Sequence, residues 1–230
     1  MSKLVRSLAF VLAWCHLSMA QGSECEQLAA ELDLRHARAT AEAALALDPA
    51  QVQALTAIET ELFAALKQCP HSAELYVLMG EVQVSLGQIP LASLYGRKAV
   101  ALNPQSWRAQ QFLGSVLAML GEAEAGTAHL ERAVSIVPDN DRVRLNLASA
   151  LVAAKRYDEV IELCSRLIES PELAVAAGAH HLRGRAYLGQ ARVSEANRDF
   201  RAARELGWDP TRSLIDLSDW QSHLDETGDP

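Results

Sequence analysis

The chain has 230 residues, of which half are hydrophobic but only 5% are aromatic. This length accommodates one or two domains, and the composition favours close-packed helices over a β-sheet. The formal net charge of −8 would repel a phosphate backbone, which argues against a protein that binds nucleic acid.

Residues 1–20 have the pattern of a secretory signal peptide. Lys3 and Arg6 provide a positive start, an apolar run follows over residues 8–17, and small residues precede a cleavage site before Gln21. We therefore expect an exported protein that is periplasmic or secreted, on the assumption of a bacterial source.

Two alternatives for this N-terminus stay open. The first is an uncleaved membrane anchor, although a spanning helix needs roughly 20 apolar residues and His16 interrupts this run. The second is a lipid-carrying cysteine at Cys15, although the bulky Trp14 directly precedes it. Contact with a membrane is expected only if the N-terminus is not cleaved.

Residues 21–70 are predicted to form a helical hairpin that caps the rest of the fold. The segments 23–47 and 51–68 are rich in Ala, Leu and Glu, which favours helix, and a tight turn around Pro49 would make them antiparallel. The second segment ends at Pro70, in phase with later helices. We interpret the hairpin as a degenerate repeat.

Two cysteines lie near the open end of this hairpin. Counted back from the turn at 1.5 Å per residue, Cys25 lies about 33 Å and Cys69 about 27 Å away, so a disulfide between them is predicted. Export would place them where disulfides persist. Two buried free thiols are the alternative. Cys164 occupies a slot filled by Leu130 one repeat earlier, and we expect a small core residue there.

The middle of the chain repeats with a period of thirty-four residues. Pro70, Pro104 and Pro138 are spaced by this interval, which marks a repeat architecture because other positions share it. These further pairs are Ser72 with Ser106, Gly80 with Gly114, Gly87 with Gly121, and Ala99 with Ala133.

Each repeat is predicted to be a helix, a short turn and a second, antiparallel helix. In the first repeat Ser72 is a helix N-cap and Gly87 ends that helix. Pro90 stands at the start of the second helix, where its missing N–H costs nothing. The dipeptide Asn103-Pro104 stops the second helix.

This pattern resembles the tetratricopeptide repeat (TPR) family over about residues 40–210. The family's small-residue slots are matched by Gly80, Ala92, Ala99 and Pro104, and again by Gly114, Ala133 and Pro138. The resemblance implies an all-α fold, a right-handed solenoid of antiparallel helix pairs. It predicts four repeats, at residues 73–104, 107–138, 141–172 and 177–208. The third of these is divergent.

The end of the solenoid departs from the regular period. Between the third and fourth repeats the step grows to thirty-six, from Leu167 to Ala203, and we place the two extra residues in the linker around Pro171. Residues 209–225 are predicted to be a capping helix with one apolar face, followed by a tail at 226–230.

No catalytic, metal-binding or cofactor-binding residue is predicted. The sequence has no Gly-rich phosphate loop, H-E-x-x-H or C-x-x-C motif. His180 and His181 are adjacent, and neighbours on a helix point about 100° apart, so they do not chelate on one face.

The resemblance implies that the first helix of each repeat lines a concave groove that receives a protein or peptide. Carrying the family's groove positions over to this sequence gives a set of candidate residues from all four repeats. They are Glu74, Val77, Glu81, Val84, Arg108, Gln111, Ser115, Arg142, Leu145, Ser149, His181 and Arg185.

Arg108 and Arg142 recur one period apart, so the later groove would be locally basic and would suit an acidic or C-terminal carboxylate ligand. The alternative is ordinary solvated arginines paired with acids such as Asp139 or Asp141. The predicted function is a non-catalytic exported interaction module. The second hypothesis is a structural subunit of a cell-envelope assembly or enzyme complex, held by its uncleaved N-terminus.

Overall fold

A computed structural model describes residues 24–40 and 48–208 of the chain. All regular secondary structure in these residues is α-helical, which confirms the all-α prediction. The predicted signal peptide, capping helix and tail lie outside the described residues. The ten described helices are α1 (24–40), α2 (Pro49–Gln68), α3 (Ala73–Ser85), α4 (Ile89–Leu102), α5 (Trp107–Met119), α6 (Ala123–Ile136), α7 (Asp141–Ala153), α8 (Tyr157–Leu167), α9 (Leu173–Gly189) and α10 (Val193–Glu205).

Polar N-caps start the first helix of each of the first three repeats. The Ser72 hydroxyl accepts a hydrogen bond from the Leu75 amide at 3.3 Å, and the Ser106 hydroxyl accepts one from the Ala109 amide at 3.2 Å. Asn140 caps α7 in the same way. Each cap satisfies an amide that the first turn of a helix leaves unpaired, so the repeat starts are fixed by local chemistry.

The predicted small residues lie where helices approach closely. A Cβ atom on Gly80 would fall 2.4 Å from the Phe112 ring, and one on Gly184 would fall 2.6 Å from the Phe200 ring. At Gly114 the nearest atom would be a backbone carbonyl oxygen of α6, at 2.7 Å. These glycines allow helices to pack at distances that any side chain would prevent.

The stacking of the helix pairs gives the molecule two different faces. The first helices α3, α5, α7 and α9 contact one another in sequence, whereas the second helices mainly contact the first helices beside them. A stack whose first helices are closer together curves toward them. The first helices therefore line the concave face, and α4, α6, α8 and α10 lie on the convex side.

The N-terminal hairpin is covalently closed. Cys25 and Cys69 form a disulfide, with Cα atoms 5.9 Å apart and a sequence separation of 44 residues, as the hairpin geometry predicts. Leu32 of α1 is buried in the same hydrophobic cluster as Leu62 of α2 and Leu75 of α3. The disulfide therefore joins the two helices of the hairpin, and the hairpin packs on the first repeat through this shared hydrophobic cluster.

Cys164 is fully buried, as predicted, in the cluster that also contains Leu130, Leu151 and Val160. Burial raises the pKa of its thiol to about 12. The thiol therefore stays protonated at neutral pH and acts as a packing group. None of the described helices combines the length and the apolar content needed to span a bilayer.

The structure corrects the predicted position of Pro49. This residue is the first of α2, so the helix begins two residues earlier than the predicted range 51–68. Asp48 is the N-cap, and its side chain accepts from the Gln51 amide at 2.7 Å while the Gln51 side chain accepts from the Asp48 amide at 2.9 Å. Proline fits the first helical position because that N–H has no intrahelical partner.

The extra residues after the third repeat are also placed differently from the prediction. α8 ends at Leu167 and α9 begins at Leu173, four residues before the predicted start at 177. The insertion therefore lengthens α9 to 17 residues, and the linker around Pro171 absorbs little of it. The added segment is rich in Ala and Leu, which favour helix.

Candidate partner-binding groove

Four of the predicted groove residues meet at one pocket in the C-terminal half of the concave face. Leu145 and Ser149 come from α7, four residues apart and so on one side of the helix, and His181 and Arg185 have the same spacing on α9. The pocket has a volume of about 60 Å³. Its other lining residues are Asn146, Gly178, Leu182 and Trp208.

Aromatic stacking fixes the floor of this pocket. The His181 ring stacks on the Trp208 ring, with centroids 4.9 Å apart and an interplanar angle of 19°, and Phe200 lies 5.7 Å from His181 on another side. A Cβ atom on Gly178 would fall 2.9 Å from Leu145 and 3.3 Å from Trp208. Glycine at this position therefore lets Leu145 and Trp208 approach the α9 backbone.

The pocket combines apolar walls with hydrogen-bonding groups at its edge. Leu145, Leu182 and Trp208 supply apolar surface, while Asn146, Ser149 and Arg185 carry polar side chains. The volume is well below the roughly 300–1,000 Å³ typical of cofactor sites. The arrangement therefore suits a single side chain of a partner better than a cofactor.

The N-terminal half of the concave face is engaged by α1. Arg108 of α5 donates to Asp33 of α1 at 3.1 Å and lies 3.7 Å from Glu81 of α3. His36 of α1 is hydrogen-bonded to Ser85 of α3 at 3.1 Å. Burial raises the pKa of the Glu81 carboxyl to about 7, although the positive charge of Arg108 acts to lower it.

The two arginines that define the predicted basic stretch are both ion-paired. Arg108 pairs with Asp33 and Glu81, and Arg142 pairs with Glu172 at 2.7 Å. The alternative interpretation of ordinary paired arginines therefore describes them better. The partners are not the expected Asp139 or Asp141.

One predicted groove residue is wrong, because Val77 is only 2% exposed. It packs in a hydrophobic cluster with Ala92 and Phe112, between α3 and its neighbours, so it offers no surface to a partner. Among the other predicted positions, Glu74 is exposed and Val84, Gln111 and Ser115 are half-buried. The structure does not bring these residues into the pocket.

The adjacent histidines His180 and His181 have separate environments. His180 is hydrogen-bonded to Asp199 of α10 at 2.9 Å, and Arg183 donates to the same carboxylate at 2.7 Å. Asp199 is only 4% exposed, and these charge-assisted bonds lower its pKa against the effect of burial. This network ties α9 to α10, while His181 faces the pocket.

Sequence reasoning missed four of the lining residues: Trp208, Asn146, Gly178 and Leu182. Trp208 stands five residues after Ala203, where the earlier repeats carry Pro104 and Pro138. A large aromatic at a position otherwise held by proline was a usable signal of a special role. Asn146 and Gly178 carry no comparable signal, because polar and small residues are common on repeat helices.

Comparison with known proteins agrees with this architecture. Residues 117–177, from the end of α5 into α9, match the family model described as a tetratricopeptide repeat. The fold is that of a TPR solenoid. A search of curated protein sequences finds no match to the chain.

Several solved TPR structures share the fold. A crystal structure of MamA is 23% identical, covers 67% of this chain and 89% of its own, and superimposes with a TM-score of 0.57. YrrB, described as "a TPR protein with an unusual peptide-binding site", is 20% identical over 69% of this chain and 80% of its own, with a TM-score of 0.56. The structure "MamA 41-end from Desulfovibrio magneticus RS-1" superimposes with a TM-score of 0.60 at 17% identity, and the match covers 78% of this chain and 94% of its own. At these identities the likeness shows the fold alone.

Proposed function

We propose that this chain is a non-catalytic, exported scaffold that binds a protein or peptide partner in the C-terminal half of its concave groove. The observation that carries this proposal is the pocket between α7 and α9. Four residues placed in the groove by the repeat pattern meet there, beside a stacked His181–Trp208 pair. The description of YrrB as peptide-binding supports a role of this kind.

The chemistry of the pocket favours a partner segment that inserts one apolar side chain. Leu145 and Trp208 would cover that side chain, and Ser149 and Asn146 would hydrogen-bond to the neighbouring backbone of the partner. Because Arg108 and Arg142 already pair with carboxylates, the groove offers little unbalanced positive charge at those positions. A strongly acidic ligand is therefore a weaker fit than an apolar one.

Site-specific photo-crosslinking tests this proposal. A benzophenone amino acid is placed at Ser149 in the pocket or, as a matched control, at Ser135, which is exposed on α6 of the convex side. In cells of the native source, we expect a discrete crosslinked partner from position 149 and none from position 135. Crosslinks from position 135 alone would place the binding surface on the convex side and refute the groove.

Export is tested separately by the intact mass of the protein recovered from its source. The proposal predicts mature, soluble material that begins at Gln21. Recovery of the full-length chain in the membrane fraction would favour the anchored structural subunit.

A further inference from the structure

Three potential metal ligands from two helices meet at the N-terminal end of the groove. Asp33 and His36 are three residues apart on α1 and so share one side of that helix, and Glu81 faces them from α3. One ligand atom from each of the three residues lies within 4.8 Å of the others. All three residues are half-buried, which leaves a path for an ion from solvent.

The hydroxyl of Ser85 is the basis for assigning which ring nitrogen of His36 carries its proton. The Ser85 hydroxyl donates its single hydrogen to the Glu81 backbone carbonyl at 3.0 Å. With the hydroxyl hydrogen placed there, Ser85 is the acceptor in its 3.1 Å contact with His36 Nε2, and this assigns the proton of a neutral His36 to Nε2. A neutral His36 then has its lone pair on Nδ1.

This arrangement matches the usual support of a metal-binding histidine, whose second ring nitrogen donates to an outer partner that fixes the tautomer and ring orientation. Burial also lowers the pKa of His36, which keeps the imidazole in the neutral form that binds metals at neutral pH. Ser85 therefore holds the Nε2 side of the His36 ring and leaves Nδ1 as the nitrogen that would bind a metal.

The charge around the cluster favours an additional cation. Two carboxylates, Asp33 and Glu81, face one resident positive charge, that of Arg108. Arg108 approaches one oxygen of each carboxylate, at 3.1 and 3.7 Å, and each carboxylate has a second oxygen. Arg108 therefore competes electrostatically with an ion bound between these carboxylates.

We propose that Asp33, His36 and Glu81 bind a divalent cation of the zinc type, which links α1 to α3. One imidazole and two carboxylates form a ligand set that zinc accepts, with water completing four-coordination. Bonds of about 2.0–2.1 Å would bring the ligand atoms to about 3.3 Å from one another. The side chains must therefore close around the ion from their present spacing.

Competition between the full mature chain and a chromophoric zinc chelator at pH 7.5 tests the site. We expect a 1:1 complex with a dissociation constant in the micromolar range or below. His36→Gln and Glu81→Gln should each weaken zinc binding at least about tenfold, since loss of even an outer partner costs that much. Arg108→Gln should strengthen binding about tenfold, because the guanidinium competes with the ion for the two carboxylates.

His71→Gln is the matched control, because His71 is exposed in the turn before α3 and precedes Glu81 by ten residues, more than two helical turns. Zinc should raise the melting temperature of the wild type and of His71→Gln, but not of His36→Gln. Far-UV circular dichroism shows whether each variant is folded. No 1:1 binding by the wild type, or equal binding by wild type, His36→Gln and Glu81→Gln, would overturn the proposal.

Discussion

The left-handed residue that ends the first helix of each repeat gives a sharp prediction about stability. This position is held by Gly87 (φ 76°) and Gly121 (φ 81°) in the first two repeats. In the third and fourth repeats it is held by Lys155 (φ 58°) and Ala191 (φ 59°). The repeat pattern thus places two non-glycine residues where the backbone favours glycine.

The magnitude follows from two opposing costs. The left-handed conformation costs a residue with a Cβ atom roughly 1–2 kcal/mol of steric energy. Glycine avoids this cost but destabilises the fold by roughly 0.4–1 kcal/mol, because it increases the conformational entropy of the unfolded chain. Lys155→Gly should therefore raise the free energy of unfolding by about 0.5–1 kcal/mol. Ala191→Gly should give a similar gain.

Urea unfolding followed by circular dichroism measures these differences. Ala153→Gly is the matched control, because Ala153 is exposed and ends α7 in helical conformation. There glycine should lower the free energy of unfolding by up to about 1 kcal/mol. If Lys155→Gly destabilises the protein as much as Ala153→Gly does, the left-handed assignment at position 155 is refuted.

Three further outcomes are expected. Reduction of the Cys25–Cys69 disulfide, which spans 44 residues, should lower the free energy of unfolding by about 4 kcal/mol; an unchanged urea midpoint in reductant would contradict the bond. Burial raises the pKa of Glu81 from 4.5 to about 7, so the folded state disfavours the ionised carboxylate and stability falls as pH rises through this window. Glu81→Gln should therefore stabilise the protein by roughly 1–3 kcal/mol more at pH 8 than at pH 4. An equal change in the free energy of unfolding at both pH values would refute the raised pKa of Glu81. Gly114→Ala should destabilise by about 1–3 kcal/mol because a Cβ meets α6 backbone, whereas Gly96→Ala, which meets only side chains, should cost less in the same urea assay.

Local chemistry explains why the helix pairs were predictable from sequence. Ser72 and Ser106 cap their helices, and Gly87 ends one in a conformation that glycine favours, so each signal acts within a few residues. The disulfide was predictable for a related reason. Rise per residue along two antiparallel helices is enough to place Cys25 beside Cys69.

Features that depend on the curvature of the stack were not predictable in the same way. The contact of Arg108 with Asp33 joins residues 75 positions apart and passes across α3. Its formation depends on how closely the first helices approach one another, which no local pattern encodes. The pocket at Ser149 likewise depends on Trp208, which is the last residue of the fourth repeat and lies 59 positions after Ser149 in the sequence. Local rules also failed at Leu173, where the insertion extended a helix.

Hydrogen exchange with mass spectrometry, on the chain alone and bound to the partner captured from position 149, tests the central claim most directly. Binding in the C-terminal groove predicts slower amide exchange in α7 and α9, with α4 and α6 unchanged. Slower exchange confined to α4, α6 and α8 would show that the partner lies on the convex side and would contradict the account.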